Sequence, residues 1–565
     1  MTIDAVSLRK MKLKPIIAIA RGLGIAKKHL RLYGDYKAKI SLDVLKGAKP
    51  KKQGRYILVT GITPTHFGEG KTVTTIGLSM ALNRLGKRSV STIRQPSLGP
   101  LFGIKGGGVG GGRSRALPAA DINIHFTGDI HAVTAAHDLA ASFLDNHLFR
   151  GNDLSMDPDK IFWHRVLDVN DRALRNIRVG IAGGENGFER DTRFDITAAS
   201  EIMAILALSG SVSDMRKRLS RITVGLTKDG KGVTCEDLKV AGAMSALLVD
   251  AIEPNLVQTP ENTPCLIHTG PFANITHGNS SILADRIGLK FSDYVVTESG
   301  FGADCGAEKF VNIKCRASGL RPNAAVLVCS IRALKAHSGS FKVIPGKPLD
   351  KEIYSKNMDA LARGSTNLIK QIENVKVYGI PCVVAINRFA TDTEDEIEFV
   401  KKTALECGAF DCVTSEIYKR GSVGGVDLAR AVIKACEIKS AFKFLYGTDI
   451  PIKEKIERIA TKIYGAKGVI FELRAEENIA LYEKLGLGGL PICMAKTHLS
   501  LSHDPSLKGA PKDFMLPVRD VRPSTGAGFL YALCGKMLSM PGLPAHPNGE
   551  RIDIDRSGRI TGLEL

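Results

Sequence analysis

The sequence lacks any uninterrupted apolar run near the ~20 residues that a membrane span requires, so its 565 residues are expected to contain no transmembrane segment. Its opening, Met1-Thr-Ile-Asp-Ala-Val-Ser-Leu-Arg-Lys, lacks the order of basic segment, apolar core and small-residue cleavage site that marks a secretory signal. Residues 9 to 38 carry many Lys and Arg and one acid, Asp35, as import sequences do. The strand-like Lys37-Ala-Lys-Ile-Ser-Leu at their end argues for folded structure instead. No CxxC pair occurs among the 11 scattered cysteines. That argues against a disulfide framework or a structural zinc site and for a reducing, cytoplasmic setting. Repeats of roughly 20–50 residues are absent, which excludes solenoids and propellers. Aromatic residues make up only 6% of the chain, and no RNA-binding or helix-turn-helix signature occurs. Lys and Arg are dispersed rather than blocked, so the formal charge of +20 is read as a basic surface around phosphate and carboxylate ligands, not as a nucleic-acid interface.

What is present is alternation. Short β-branched runs, such as Tyr56-Ile-Leu-Val-Thr, Val90-Ser-Thr-Ile, Ala325-Val-Leu-Val and Pro381-Cys-Val-Val-Ala-Ile, alternate with longer helical patterns. This predicts an α/β fold with a largely parallel sheet. The length suggests about three domains. The glycine run from Gly103 to Gly112 is expected to be a loop, and Gly346-Lys-Pro a second break. A charged helical stretch then leads to Val375-Lys-Val-Tyr, expected to begin a second strand–helix unit, and a third region starts near Ile450-Pro-Ile. The expected division is a large N-terminal domain over 1–365 and two smaller α/β domains over 366–455 and 456–565.

The strongest signal lies between residues 55 and 86. A strand is predicted to end at Thr60, followed by the loop Gly61-Ile-Thr-Pro-Thr-His-Phe-Gly-Glu-Gly-Lys-Thr72. The next segment places Val73, Ile76, Met80, Ala81 and Leu85 on one helical face, and Gly86 stops it. This is the arrangement of a P-loop. Gly68 and Gly70 let the backbone wrap a phosphate, amides of the loop and the helix N-terminus point at the anion, Lys71 adds a cation, and the Thr72 hydroxyl suits Mg²⁺. The expected nucleotide-binding residues are therefore Thr65, His66, Phe67, Gly68, Glu69, Gly70, Lys71 and Thr72. One departure is plain: Thr65 stands where the first glycine of G-x-x-x-x-G-K-[ST] belongs. The following strand, Ser89 to Ile93, delivers Arg94 at its C-terminal end, where ligands sit in open parallel sheets. Arg94 is expected to clamp a second anion beside the ATP γ-phosphate.

These motifs resemble those of the formate–tetrahydrofolate ligase family. The resemblance is carried by Thr63-Pro-Thr with Gly68-Glu-Gly-Lys-Thr72, Pro96-Ser-Leu-Gly-Pro100, Gly103-Ile-Lys-Gly-Gly107 and Asp121-Ile-Asn-Ile-His-Phe-Thr-Gly-Asp129. It continues through Asp195-Ile-Thr197, Asn255-Leu-Val-Gln-Thr259, Gly270-Pro-Phe-Ala-Asn-Ile275, Gly300-Phe-Gly-Ala-Asp304 and Ile331-Arg-Ala-Leu-Lys335, and on to Ala385-Ile-Asn-Arg-Phe389 and Arg551-Ile-Asp-Ile-Asp555. The resemblance implies that ATP phosphorylates formate to formyl phosphate, and that an amine nitrogen of tetrahydrofolate then attacks the formyl carbon. It assigns Lys71 and Arg94 to formyl phosphate, with Gln95 beside them in the catalytic group. It places the folate ring between Phe389 and Tyr418, the latter where the family usually has Trp, with Phe301 and Asp304 lining the same cavity. Asp129, expected at a strand end after Thr-Gly, either assists Thr72 in holding Mg²⁺ or folds its loop. A homotetramer stimulated by a monovalent cation, K⁺ or NH₄⁺, is also implied. The expected partners are the small molecules formate, ATP and tetrahydrofolate, with no nucleic acid and no membrane.

Departures from the family pattern cluster at the expected site. Gln95 stands where Glu is usual, Arg113 where Tyr is usual, and Pro118-Ala-Ala-Asp121 replaces Pro-Met-Glu-Asp. His66-Phe67 replaces Pro-Ala, His277-Gly-Asn-Ser-Ser281 replaces His-Gly-Cys-Asn-Ser, and Lys496-Thr-His-Leu-Ser500 replaces Lys-Thr-Gln-Tyr-Ser. Glu accepts a proton at neutral pH and Gln does not. Three readings follow: an active ligase, a catalytically altered or inactive paralogue that binds nucleotide or folate, and a different P-loop enzyme that phosphorylates a carboxylate, such as a dethiobiotin-synthetase-like ligase. The matches beyond residue 250 argue against the last.

Overall fold

A computed structural model describes residues 13–47, 53–66, 68–104, 107–341, 350–535 and 537–563. Its centre is one ten-stranded sheet. In chain order its strands are β1 (Leu30–Leu32), β2 (Ala38–Ile40), β3 (Arg55–Gly61), β4 (Ser89–Ile93), β5 (Asn255–Gln258), β6 (Pro264–Ile267), β7 (Tyr294–Glu298), β8 (Ala324–Cys329), β9 (Cys382–Asn387) and β10 (Asp411–Ser415). Across the sheet they run β1-β2-β5-β6-β4-β7-β3-β8-β9-β10. From β6 to β10 every pairing is parallel, whereas β1, β2, β5 and β6 pair antiparallel and form the far edge. The fold is thus the α/β class expected, with a mostly parallel sheet. The central strands explain why their sequences are continuous rather than alternating: β8 is buried at all six residues, because a parallel sheet is covered on both faces.

Three helices carry or brace residues expected at the site: α1 (Lys71–Arg84), α2 (Asp129–Phe149) and α3 (Met358–Lys376). The predicted apolar stripe of α1 is present, but so is a second buried face. Thr74 to Leu82 are all buried, because α1 lies between the sheet and the segment around Ile417 and Leu428. The hydroxyls this traps are satisfied locally, Ser79 by Ser89 (3.0 Å) and Thr75 by the Lys71 carbonyl (3.0 Å). Val375-Lys-Val-Tyr does not begin a strand: its first two residues close α3, whose buried side includes Leu368, Ile372 and Val375. A short β-branched pair at the end of an amphipathic helix gives the same local pattern as a strand start. The glycine run also holds structure, since Gly110–Gly111 pairs with Ser114–Arg115 in a small hairpin. The break at Gly346-Lys-Pro lies outside the described residues.

The boundary expected at residue 365 falls inside α3, and β9 and β10 extend the main sheet rather than building one of their own. Beyond residue 456 the chain forms separate small sheets. Ile492–Ala495 runs parallel to Phe529–Leu533, which pairs antiparallel with Asp520–Ser524. Among the described residues no helix is long and apolar enough to cross a membrane.

Candidate active site

Because β4, β7, β3, β8, β9 and β10 are parallel, their C-terminal ends share one edge of the sheet, the crevice where open α/β sheets bind ligands. The loop after β3 forms one wall. Gly68 (φ 72°) and Gly70 (φ 84°) take left-handed backbone that other residues resist. A Cβ at Gly70 would also lie 2.7 Å from Asn387 Nδ2. The exit of β3 is pinned by α3, with Asn367 Nδ2 (2.8 Å) and Gln371 Nε2 (3.0 Å) donating to Thr63 Oγ1. Asn387 Nδ2, at the end of β9, donates to the Glu69 carbonyl (3.2 Å).

Glu69 is buried inside the loop it belongs to. Its Oε1 accepts from the Thr65 amide (2.6 Å) and hydroxyl (2.9 Å), and its Oε2 pairs with Lys71 Nζ (3.2 Å). A carboxylate therefore meets the same donors that a phosphate would. Thr65, lacking the freedom of the usual glycine, contributes its amide and hydroxyl to this arrangement. His66 is exposed at the tip, and Phe67 lies outside the described residues. Thr72 Oγ1 donates to Glu298 Oε2 (2.6 Å).

Arg94 follows β4 as expected. Its Nη1 donates to the Pro271 carbonyl (3.3 Å), and its Nε lies 3.7 Å from Glu298 Oε1. A Cβ at Gly300 would come within 3.2 Å of the guanidinium. Gln95 is 5% exposed, and its amide Oε1 has no hydrogen-bond partner among the described residues. Burying an acceptor unpaired costs free energy. Glu298 escaped the sequence analysis. The signal was available in principle: Val-Val-Thr-Glu ends a β-branched run as Ser-Thr-Ile-Arg does. Only the strand order shows that β7 lies between β3 and β4, which puts Glu298 between Lys71 and Arg94.

The aromatic residues divide into two groups. Phe389 and Tyr418 follow the adjacent strands β9 and β10. Phe389 has the Arg332 guanidinium 3.6 Å from its ring centroid, and Tyr418 is 51% exposed beside the glycine hairpin, its carbonyl accepting from the Arg113 amide (3.0 Å). Phe301 stacks on His498 (4.1 Å between centroids, 17° between planes), a contact with the C-terminal region. Asp304 is not at the cavity surface. It is buried, its carboxylate held by Lys496 Nζ (2.9 Å) and Gln371 Nε2 (2.7 Å). Nor does the structure bring Asp129 to Thr72. Asp129 opens α2 instead of ending a strand, pairs with Lys39 of β2 (2.7 Å) and accepts from Asn255 of β5 (2.8 Å). β5 is four strands from β3, roughly 19 Å at the usual spacing. Of the two roles expected for it, folding its loop fits these partners.

With this geometry in view, comparison with known proteins is specific. The family model for formate–tetrahydrofolate ligase matches residues 3–564. The chain belongs to the formate–tetrahydrofolate ligase family. It is similar to the formate–tetrahydrofolate ligases of Desulforamulus reducens, 55% identical over 97% of each chain, and Roseiflexus castenholzii, 56% identical over 98% of each. It is likewise 55% identical to that of Saccharopolyspora erythraea over 98% of each chain. Family membership fixes the chain as an enzyme of the ligase class and draws attention to the strand ends rather than to the other large cavity. That second cleft, of about 1050 Å³, lies between residues 159–201 and 473–540. Charged side chains along it pair with one another, Arg193 with Asp195 (3.2 Å) and Arg522 with Asp520 (2.9 Å).

Proposed function

We propose that this enzyme ligates formate to tetrahydrofolate with ATP, passing through formyl phosphate and releasing ADP and phosphate. The observation that supports this most is the flanking of one crevice by Lys71 and Arg94. They follow strands two positions apart, about 10 Å between strand axes, a gap that two long cationic side chains close over a single anion. Formate is a poor electrophile until one oxygen carries phosphate, and phosphoryl transfer needs mainly positioning and charge neutralisation. In this reading a formate oxygen attacks the γ-phosphorus of ATP and ADP leaves. Lys71 turns from Glu69 to the transferred phosphoryl group, and Arg94 holds the resulting acyl phosphate. The amine nitrogen of tetrahydrofolate then attacks the formyl carbon, the carbon–oxygen bond to phosphate breaks, and the departing phosphate is basic enough to accept the amine proton.

Phe389 and Tyr418 are the proposed walls of the folate site, since both sit just beyond strand ends on one side of the phosphate loop. Tyr offers less stacking area than the family's usual Trp. The Thr72 hydroxyl is the proposed protein ligand of nucleotide-bound Mg²⁺. Assembly as a homotetramer and stimulation by K⁺ or NH₄⁺ belong to the same proposal. The test is ADP release with formate, ATP and tetrahydrofolate omitted in turn: the proposal requires that loss of any one abolishes turnover.

The orphaned amide oxygen of Gln95 supports a second reading, in which nucleotide and folate bind but formyl transfer is slow. Replacing Gln95 by Glu restores a carboxylate beside Arg94. On the slow-transfer reading Gln95→Glu raises kcat by roughly 10²-fold, the low end of what a positioned acid–base group contributes. An unchanged kcat in steady-state assays rejects that reading.

A further inference from the structure

We infer that Arg115 is an anion site built into the glycine hairpin, and that it takes a glutamate carboxylate of the folate substrate. The inference rests on the folate reading above and adds a contact for the charged tail. The hairpin is anchored beside Tyr418. Gly110 pairs with Arg115, and Gly111 with Ser114. The Ser114 hydroxyl donates to the Ile417 carbonyl (3.0 Å), and the Arg113 amide to that of Tyr418 (3.0 Å). A Cβ at Gly111 would lie 3.1 Å from the Tyr418 ring, so the bare backbone there is what lets hairpin and ring meet. The Gly108 amide, just before the hairpin, is held by Asn123 Oδ1 (2.9 Å). Arg115 therefore stands on fixed backbone next to a proposed wall of the folate site.

Its surroundings are unusual for a structural cation. Among the described residues two arginines are more than nine-tenths buried, Arg190 at 8% and Arg115 at 5% exposure. Arg190 pairs with Asp145 (2.8 Å). Arg115 has no ion pair and no side-chain hydrogen bond among the described residues, and its Nε is wholly buried. Burial pushes its pKa below the ordinary 12.5, and the Tyr418 phenol is the ionisable group that acts against this. A buried lysine can shed its proton, but a guanidinium keeps its charge. The cost of that desolvated charge stands until an anion meets it.

The protein's own acids around the hairpin are engaged elsewhere. Glu261 accepts from the Ser422 amide (3.0 Å), and Glu416 pairs with Arg420 (2.8 Å). Ala120 stands where the family pattern has Glu, and Arg113, exposed at the hairpin turn, adds a second cation where Tyr is usual. The anion must then come with a ligand. Lys71 and Arg94 already serve phosphate at the ends of β3 and β4, whereas Tyr418 follows β10, at the other end of the parallel row. Tetrahydrofolate joins a flat ring to a glutamate tail that ends in carboxylates. A ring stacked on Tyr418 brings that tail within reach of the neighbouring hairpin, and the planar fork of an arginine matches a carboxylate in bidentate fashion.

Calorimetric titration with tetrahydrofolate and with its dimethyl ester tests this, because the ester keeps the ring and benzoyl group but loses both tail charges. Wild-type enzyme is expected to bind the acid at least about tenfold more tightly than the ester, the low end for a hydrogen bond to a charged group. In Arg115→Met that preference disappears, while ester and MgADP affinities stay within about twofold of wild type. Because the variant lacks an unpaired buried charge, it is also expected to melt above wild type in the absence of ligand. An acid preference that survives in Arg115→Met overturns the inference. Loss of MgADP affinity in place of folate affinity also overturns it, by assigning the site to phosphate. So does a variant that melts lower or fails to fold, since the guanidinium would then be supporting the structure. Wild-type enzyme that binds acid and ester equally overturns this inference alone, whereas wild-type enzyme that binds neither rejects the folate reading itself.

Discussion

Lys71 and Glu69 define the chemistry of the phosphate loop at the residue scale. The Lys71 ammonium rests 3.2 Å from a buried carboxylate that also occupies the Thr65 amide and hydroxyl. In the proposed function nucleotide exchanges that carboxylate for phosphate, and the lysine is held at the site rather than lost to solvent. Replacing Lys71 by Ala removes the cation without removing the Thr65 bonds to Glu69. ATP turnover is expected to fall by at least roughly 10²–10³-fold, the scale seen when a preorganised electrostatic donor is removed. The melting temperature should stay within about 2 °C of wild type, so turnover assays alongside melting curves check both halves. The strand, the glycine loop and the helix starting at Lys71 were legible in the sequence, because they are local information. Glu298's place between Lys71 and Arg94 was not, because it depends on strand order, which is set by pairings between residues more than two hundred positions apart. For Asp129 the sequence left two roles open. The residue lies in a motif of the family, but local sequence does not reveal that Lys39 and Asn255 claim its carboxylate.

At the scale of elements, the sheet and its first helix matched their sequence signals because burial on both faces leaves little room for ambiguity. The predicted run from Ser89 to Ile93 is β4 residue for residue. Val375-Lys-Val-Tyr misled because two β-branched residues at a helix end carry no period of their own. The buried segment from Ala303 to Cys315, which begins within the Gly300–Asp304 loop, supplies an element-scale test. It encloses Glu308, which is fully buried and whose Oε1 accepts from Asn312 (2.9 Å). Burial pushes this carboxyl from its ordinary 4.5 up to about 7. A folded-state pKa raised in this way means that the native protein keeps a proton the unfolded chain has already released. The group's contribution to stability is therefore full at low pH and is lost as pH rises from about 4.5 through 7. The loss is on the order of 3 kcal/mol once complete. Glu308→Gln should flatten this part of the pH dependence between pH 5 and 8, as measured by chemical denaturation at each pH. An unaltered slope would show that Glu308 is ionised in the native protein across that range.

Across the whole molecule, the C-terminal region is tied to the site by buried charge as well as by packing. Asp304, three residues beyond Phe301, forms a fully buried pair with Lys496, and Phe301 stacks on His498, two residues beyond Lys496. The Asn367 amide that bonds Thr63 also donates to the Gly509 carbonyl (2.8 Å). Asp304→Ala strands the Lys496 ammonium without its carboxylate, and breaking a buried pair on one side typically costs about 3–5 kcal/mol. Denaturant titration should show that loss. Such long-range ties were invisible in sequence: Lys496 and Asp304 are ordinary charged residues until the fold buries both. The expected three-way division of the chain met the same limit, since strands from both sides of residue 365 are hydrogen-bonded into one sheet.

The claim that unites these scales is that Lys71 and Arg94 hold an acid activated by phosphate. Formate labelled with ¹⁸O in both oxygens follows that acid most directly, because the oxygen that attacks ATP must leave with phosphorus when the formyl group moves to the amine. The account predicts one ¹⁸O atom in each phosphate released during turnover with tetrahydrofolate, read by mass spectrometry. Phosphate released without label, alongside formylated folate, would contradict it.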